Sequence, residues 1–215
     1  MKKVYLISGL GADRTVFSKL DLSFCEPVFL DWIKPLKNDT LRSYALRLSE
    51  KITEPDATII GLSMGGMMAS EIVKANPAMK AIIISSNRTS KEFPPYTRFL
   101  IKYLPLYRLT TRTIMRLIFP INCWVMGAET AADKQRLRDV IERTDLPFVK
   151  WCINSIGHWD LTEPQPNIIH IHGDKDNLLR YQYVHADYTI KGGGHLMIMN
   201  KANELSVLLR KLIEQ

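Results

Sequence analysis

Cysteine is scarce in this chain: Cys25, Cys123 and Cys152 are the full set, odd in number and widely scattered. Their spacing excludes a disulfide framework and offers no zinc site, so a reducing, cytoplasmic compartment is expected. Long apolar runs are also missing, and nothing approaches membrane-spanning length. Met1-Lys2-Lys3 leads into only Val4–Ile7 before polar residues return, with no small-residue cleavage site behind it. This stretch is read as a first strand and not as a signal peptide. Internal repeats and low-complexity tracts are absent. Acidic residues are scarce in one segment: between Arg88 and Pro120, Arg88, Lys91, Arg98, Lys102, Arg108, Arg112 and Arg116 face Glu92 alone. Most of the net charge of +7 therefore lies there, and the rest of the chain is nearly balanced.

What is present suits a soluble globular domain. The 215 residues, 46% hydrophobic and 24% charged, are enough for one generous core with an insertion. Six short runs rich in β-branched residues are bounded by turn residues: Val4–Ser8, Pro27–Trp32, Ala57–Ile60, Ala81–Ser85, Ile168–His172 and Asp187–Ile190. Helical periodicity separates the early ones. Leu41, Tyr44, Ala45, Leu48 and Ile52 share a face, with Asn38 or Asp39 as the expected cap. Leu205, Leu208, Leu209 and Leu212 do the same near the end, with Asn200 as the expected cap. Strands that are apolar on both faces and alternate with helices predict an α/β fold, a mostly parallel sheet covered by helices on both sides. The alternation breaks after Ser86, and no strand pattern returns before a helix over Asp145–His158. Residues 1–87 and 145–215 are thus expected to form the core, and residues 88–144 a helical insertion.

One stretch organises the rest. A buried run, Ala57–Ile60, meets a helical pattern, Met64–Ala75, through Gly61-Leu62-Ser63-Met64-Gly65. A sharp strand-to-helix corner strains the backbone of its central residue and needs small residues two positions to either side. It also exposes the corner side chain beside the free N–H groups of the new helix. A serine there is placed for nucleophilic attack. Three further stretches can be set beside it. Ser8-Gly9-Leu10-Gly11-Ala12 follows the first strand; Arg14 occupies the place of the third glycine of a dinucleotide loop, so that reading is set aside. His170-Ile171-His172-Gly173-Asp174-Lys175-Asp176 ends a buried strand in a turn with two carboxylates. His170 and His172 lack a third ligand of suitable spacing and are read as structural, not as a metal pair. Lys191-Gly192-Gly193-Gly194-His195 lies between the last strand and the last helix. His158 and His185 are read as structural.

In these residues and their order the chain resembles the α/β-hydrolase superfamily, over about residues 1–86 and 145–215. The resemblance implies Ser63 as nucleophile and His195 as general base and acid. It implies Asp176 as the triad acid, because this is the last residue of a His-Gly-x-x-Asp turn; Asp174 stands as the alternative. It implies an oxyanion hole from the amides of Leu10 and Met64, with Ser8 where many members carry histidine. The insertion would be a cap. The implied activity is hydrolysis of a small-molecule carboxylic ester or thioester through an acyl-enzyme, without metal or organic cofactor. Acyl transfer or lyase chemistry on the same fold, or a binding protein with a disabled site, remain alternatives. The spacing of Arg108, Arg112 and Arg116 predicts one positive ridge on a cap helix. That ridge is either a solvated face or an attractant for anionic substrates, an acidic partner or an anionic surface; no nucleic-acid-binding module accompanies it.

Overall fold

Strands with two apolar faces can be buried only between two layers. In the first strand, Tyr5 and Ile7 enter one core, and Val4 and Leu6 enter the other. A computed structural model describes residues 1–214. It contains all six expected strands: β1 (Lys3–Ile7), β2 (Glu26–Phe29), β3 (Thr58–Leu62), β4 (Lys80–Ile84), β5 (Ile168–Gly173) and β6 (Tyr188–Ile190). They pair in the order β2-β1-β3-β4-β5-β6, and every pairing is parallel. The chain goes outward from β1 to β2 and then returns to lay β3 on the other side of β1. The carboxyl ends of β1 and β3 therefore flank the switch point, where open α/β sheets bind ligands.

The helices are α1 (Leu41–Ser49), α2 (Met64–Ala75), α3 (Pro95–Tyr103), α4 (Arg112–Leu117), α5 (Phe119–Met126), α6 (Ala131–Arg143), α7 (Leu146–Gly157), α8 (Met197–Asn200) and α9 (Ala202–Glu214). One core packs α1, α2 and α7 on the sheet through Tyr44, Leu48, Met68, Ile72 and Cys152. The opposite core packs α9 through Leu205, Leu209 and Ile213, beside Val16 and Phe17 of a short 3-10 turn. Among the described residues no helix is long and apolar enough to cross a membrane.

Two expected caps are corrected. Helix α1 is capped by Thr40, whose hydroxyl accepts from Ser43 N at 3.1 Å while Ser43 Oγ accepts from Thr40 N at 3.0 Å. Asp39 is occupied elsewhere, accepting from Leu36 N and from Ser43 Oγ. Asn200 ends the short helix α8, and its amide donates to Gly127 O.

Residues 88–144 hold helices and 3-10 turns without a strand. Arg88 ties the start of this segment to the sheet through Asp187 and Ile168 O. Thr144 Oγ1 ties its end to Gly11 O at 3.0 Å. The single arginine ridge is not formed. Arg108 sits in a 3-10 turn, Leu106–Leu109, and α4 starts afresh after Thr111. The Arg112 guanidinium donates to the last carbonyls of α6, Ile141 O at 3.1 Å and Glu142 O, and to Thr144 O at 2.9 Å. Arg116 pairs in two-pronged fashion with Glu142, at 2.7 and 2.6 Å. Helix C-termini attract cations, and this one has taken two of the three.

One buried carboxyl gives a test of the core. Glu71 on α2 accepts from Trp159 Nε1 at 2.7 Å, and burial pushes its pKa up from the ordinary 4.5 despite that bond. A raised folded-state pKa adds stability that is complete below 4.5 and lost as pH rises through the folded value. Glu71→Gln carries no such titration. Its unfolding midpoint is expected to gain on the wild type as pH is raised from 4.5. Denaturant titration across that range checks this; a constant difference would mean that Glu71 is ionised in the fold.

Candidate active site

The sharp turn from β3 into α2 is possible because two residues have no side chain. A Cβ on Gly61 would lie 2.5 Å from Gly65 O, and one on Gly65 would lie 2.3 Å from Ile7 O. Between them Ser63 is held at φ 51° and ψ −120°, a conformation that non-glycine residues rarely adopt. The corner is tied down through its backbone. Ser63 N donates to Ile84 O at 2.9 Å, and Ser63 O accepts from Gly66 N at 2.9 Å, Met67 N at 3.3 Å and the Ser86 hydroxyl at 2.7 Å. Such strain costs about 1–3 kcal/mol and persists only where surrounding bonds enforce it.

The loop after β1 runs alongside. A Cβ on Gly9 would come within 3.3 Å of Ser63 Cβ, so this loop borders the serine. Ser8 Oγ donates to Ala12 O at 2.9 Å, and Trp32 Nε1 donates to the same oxygen at 2.8 Å. Ser8 thus braces the loop itself. Among the described residues, the amides of Leu10 and Met64 donate to no protein acceptor. Both amides belong to segments that border Ser63.

Opposite them stands the turn after β5. The Asp176 carboxylate is buried: Oδ1 accepts from Leu178 N and Leu179 N, both at 2.9 Å, and Oδ2 lies 2.8 Å from His195 Nδ1. Since that carboxylate accepts, His195 Nδ1 carries the proton and Nε2 offers its lone pair. Nε2 lies 3.0 Å from Ser63 Oγ. Asp174 is exposed and faces elsewhere, accepting from Gly192 N at 2.6 Å. The glycine run permits close passage, because a Cβ on Gly173 would lie 2.1 Å from Gly193 O.

Periodicity and spacing did not reveal how His170 and His172 are connected to this line. His172 Nε2 lies 2.7 Å from Leu179 O and 3.4 Å from Asp176 Oδ2, and His170 Nε2 lies 2.9 Å from His172 Nδ1. Leu179 O can only accept, so His172 is protonated on Nε2, and His170 donates through its own Nε2 to His172 Nδ1. Both rings are neutral. Burial lowers the pKa of His172, partly countered by Asp176; burial and His172 hold His170 well below 6.5. Burial would raise the pKa of Asp176, but electrostatic attraction to His195 and the hydrogen bond from it, with His172 and the Leu179 amide behind them, hold it below its ordinary value.

A cavity of about 620 Å³ adjoins the Gly11–Ala12 turn, walled by Trp32, Ile33, Val140 and Phe148. Ser63, Asp176 and His195 are not in its lining. Among the described residues no three His, Cys, Asp or Glu side chains converge as metal ligands. Trp32, Thr144 and Ser86, which hold the loop and the elbow, carried no sequence signal: each acts through one long-range hydrogen bond.

No family model matches the chain, and no curated protein matches it in sequence. Its likenesses are structural. A bromoperoxidase from Bacillus anthracis superposes with a TM-score of 0.75 at 15% identity, covering 100% of this chain and 92% of that one. An esterase from Exiguobacterium antarcticum gives 0.74 at 14%, with 100% and 92% covered. An enol-lactonase from Burkholderia xenovorans LB400 gives 0.70 at 15%, again with 100% and 92% covered. At such identities the likeness is one of fold.

The histidine pair makes stability pH-dependent in a direction opposite to Glu71. With folded pKa values below 6.5, the unfolded chain binds protons that the folded chain does not, from 6.5 down to those values. Stability therefore rises with pH across that window and falls on acidification. His170→Gln, which keeps an N–H available to His172, is expected to lose less stability than the wild type between about pH 7 and pH 5. Unfolding midpoints in urea measure this, and equal losses would show that His170 is protonated in the fold.

Proposed function

We propose that this chain, which has the α/β-hydrolase fold, is a serine hydrolase of a small carboxylic ester or thioester, working through an acyl-enzyme. The observation that carries the reading is the hydrogen-bonded line from buried Asp176 through His195 to the strained Ser63. Ser63 Oγ attacks the acyl carbonyl as His195 Nε2 takes its proton. Asp176 keeps the ring in the required tautomer and stabilises the imidazolium. The carbonyl oxygen, now an anion, takes hydrogen bonds from the amides of Leu10 and Met64. His195 returns the proton to the departing alcohol or thiol. Water, deprotonated by the same nitrogen, then releases the acid and restores Ser63.

In this reading residues 1–87 and 145–215 are the catalytic core, and residues 88–144 form the cap. The contacts of Thr144 with Gly11 and of Met126 O with Leu196 N support that role, because they join the insertion to the loops of Leu10 and His195.

A fluorophosphonate probe is expected to label the protein at Ser63 alone, read by peptide mass spectrometry. Ser63→Ala should abolish labelling and lower kcat on p-nitrophenyl esters by at least about 10³-fold. Folded wild-type protein that stays unlabelled would overturn the assignment.

The two aspartates are separated by a paired test. Asp176→Asn presents His195 with the wrong partner and is expected to lower kcat by about 10⁴-fold with the fold retained. Asp174→Asn, altering only a loop contact, should lose far less. The reverse order would move the acid role to Asp174.

A further inference from the structure

An amphipathic helix ordinarily turns its apolar stripe inward, as α9 does with Leu205, Leu209 and Ile213. Helix α3 does the opposite. Tyr96, Phe99, Leu100 and Tyr103 recur at the spacing of one helical face, and all four are exposed, Phe99 at 57% and Tyr103 at 60%. No residue of α3 is buried. Its orientation is fixed from the other side, where Arg98 donates to Trp159 O at 2.7 Å and Ile101 packs against Gly157. Rotating the stripe inward would break both contacts.

The same pattern recurs across α4 and α5. Ile114, Leu117, Ile118, Ile121 and Trp124 follow helical spacing and are exposed, Leu117 at 75% and Trp124 at 62%. The linking segment adds Leu106 and Leu109. Monomeric proteins seldom leave this much apolar surface uncovered without a binding role. The charges that these segments themselves carry have one sign, although Arg116 is paired with Glu142 of α6. From Phe93 to Ala128 there is no Asp or Glu, whereas Arg98, Lys102, Arg108, Arg112 and Arg116 are present. Among the described residues Lys102 and Arg108 have no carboxylate partner.

We propose that the apolar stripes of α3 and of α4–α5, with their basic flanks, dock this protein on an anionic lipid surface. Aromatic and aliphatic side chains interleaved with lysine and arginine, without acids, are what an interfacial helix presents to acyl chains and anionic headgroups. A second copy of this chain fits less well. A two-fold contact places the same patch on both sides, and here that sets like charges against each other. The docked face leads to the candidate site: two residues beyond Trp124, Met126 O accepts the Leu196 amide next to His195.

The test is co-sedimentation with vesicles of phosphatidylcholine alone and of phosphatidylcholine with about one-third phosphatidylglycerol. Partitioning is expected into the anionic vesicles, falling several-fold as salt rises from about 0.1 to 1 M. Phe99→Asp with Leu117→Asp should reduce it at least ten-fold, and Lys102→Gln with Arg108→Gln several-fold, with unfolding midpoints like that of the wild type. Tryptophan fluorescence should shift blue on binding, and Trp124→Phe should remove most of that shift. Ser63→Ala protein should bind as the wild type does, so the result is independent of the proposed chemistry. Absence of binding to both vesicles would overturn the proposal, as would equal binding to both with no effect of the lysine and arginine changes. Light scattering that finds a lipid-free dimer, dispersed by the aspartate pair, would assign the face to a second copy instead.

Discussion

The backbone contact between β3 and α2 is the constraint on which the rest of the candidate site depends. With Gly61 and Gly65 lacking side chains, the helix starts close against the strand it leaves and against the end of β1. Several consequences follow from that one approach. Ser63 takes its positive-φ conformation, the Met64 amide at the start of α2 has no acceptor among the described residues, and the loop of Leu10 lies beside the serine. The strain is held by local bonds, since Ser63 O alone accepts from Gly66, Met67 and Ser86. A residue with a Cβ at either glycine would have to move backbone, which is much harder than moving the end of a flexible side chain.

Behind the serine the electrostatics are those of buried groups that hold one another in defined protonation states. Asp176 has lost water but has gained two backbone amides and an imidazole, so it stays ionised below its ordinary pKa. His172 and His170 have lost water without gaining an equivalent counter-charge, since His172 shares its proton between Leu179 O and a more distant Asp176 oxygen. They remain neutral and act as oriented dipoles behind the carboxylate. The same depth of burial therefore gives opposite charge states, decided by the number and kind of hydrogen-bond partners.

The segment of residues 88–144 packs differently from the sheet and the helices laid on it. Its Cys123, Ala128, Leu137 and Ile141 form a small apolar cluster with Leu196 of the loop after β6, and most of its large apolar side chains stay outside that cluster. It is held to the core by hydrogen bonds near its ends and beside the two loops of the candidate site. Two of its arginines neutralise the C-terminus and Glu142 of α6 and so serve the segment's own stability.

Local pattern alone determined a good deal of this protein. Alternating apolar runs and helical periodicity placed six strands and the helices between them, since those signals are carried by residues a few positions apart. Gly61-x-Ser63-x-Gly65 announced the elbow because the steric requirement lies within five consecutive residues. Other features depended on separations that local pattern does not contain. Asp174 and Asp176 are chemically equal in the sequence; the turn buries one against His195 and leaves the other in solvent beside Gly192. Thr40 and not Asp39 caps α1, because Arg47 and the Leu36 amide engage Asp39 first. Arg108, Arg112 and Arg116 had the spacing of a ridge, but a break at Thr110–Thr111 and the carbonyls of α6 dispersed them. Periodicity could likewise say that Tyr96, Phe99, Leu100 and Tyr103 share a face, but not which way the face points. That depends on what lies opposite, and only tertiary packing, through Arg98 on Trp159 and Ile101 on Gly157, turned it outward.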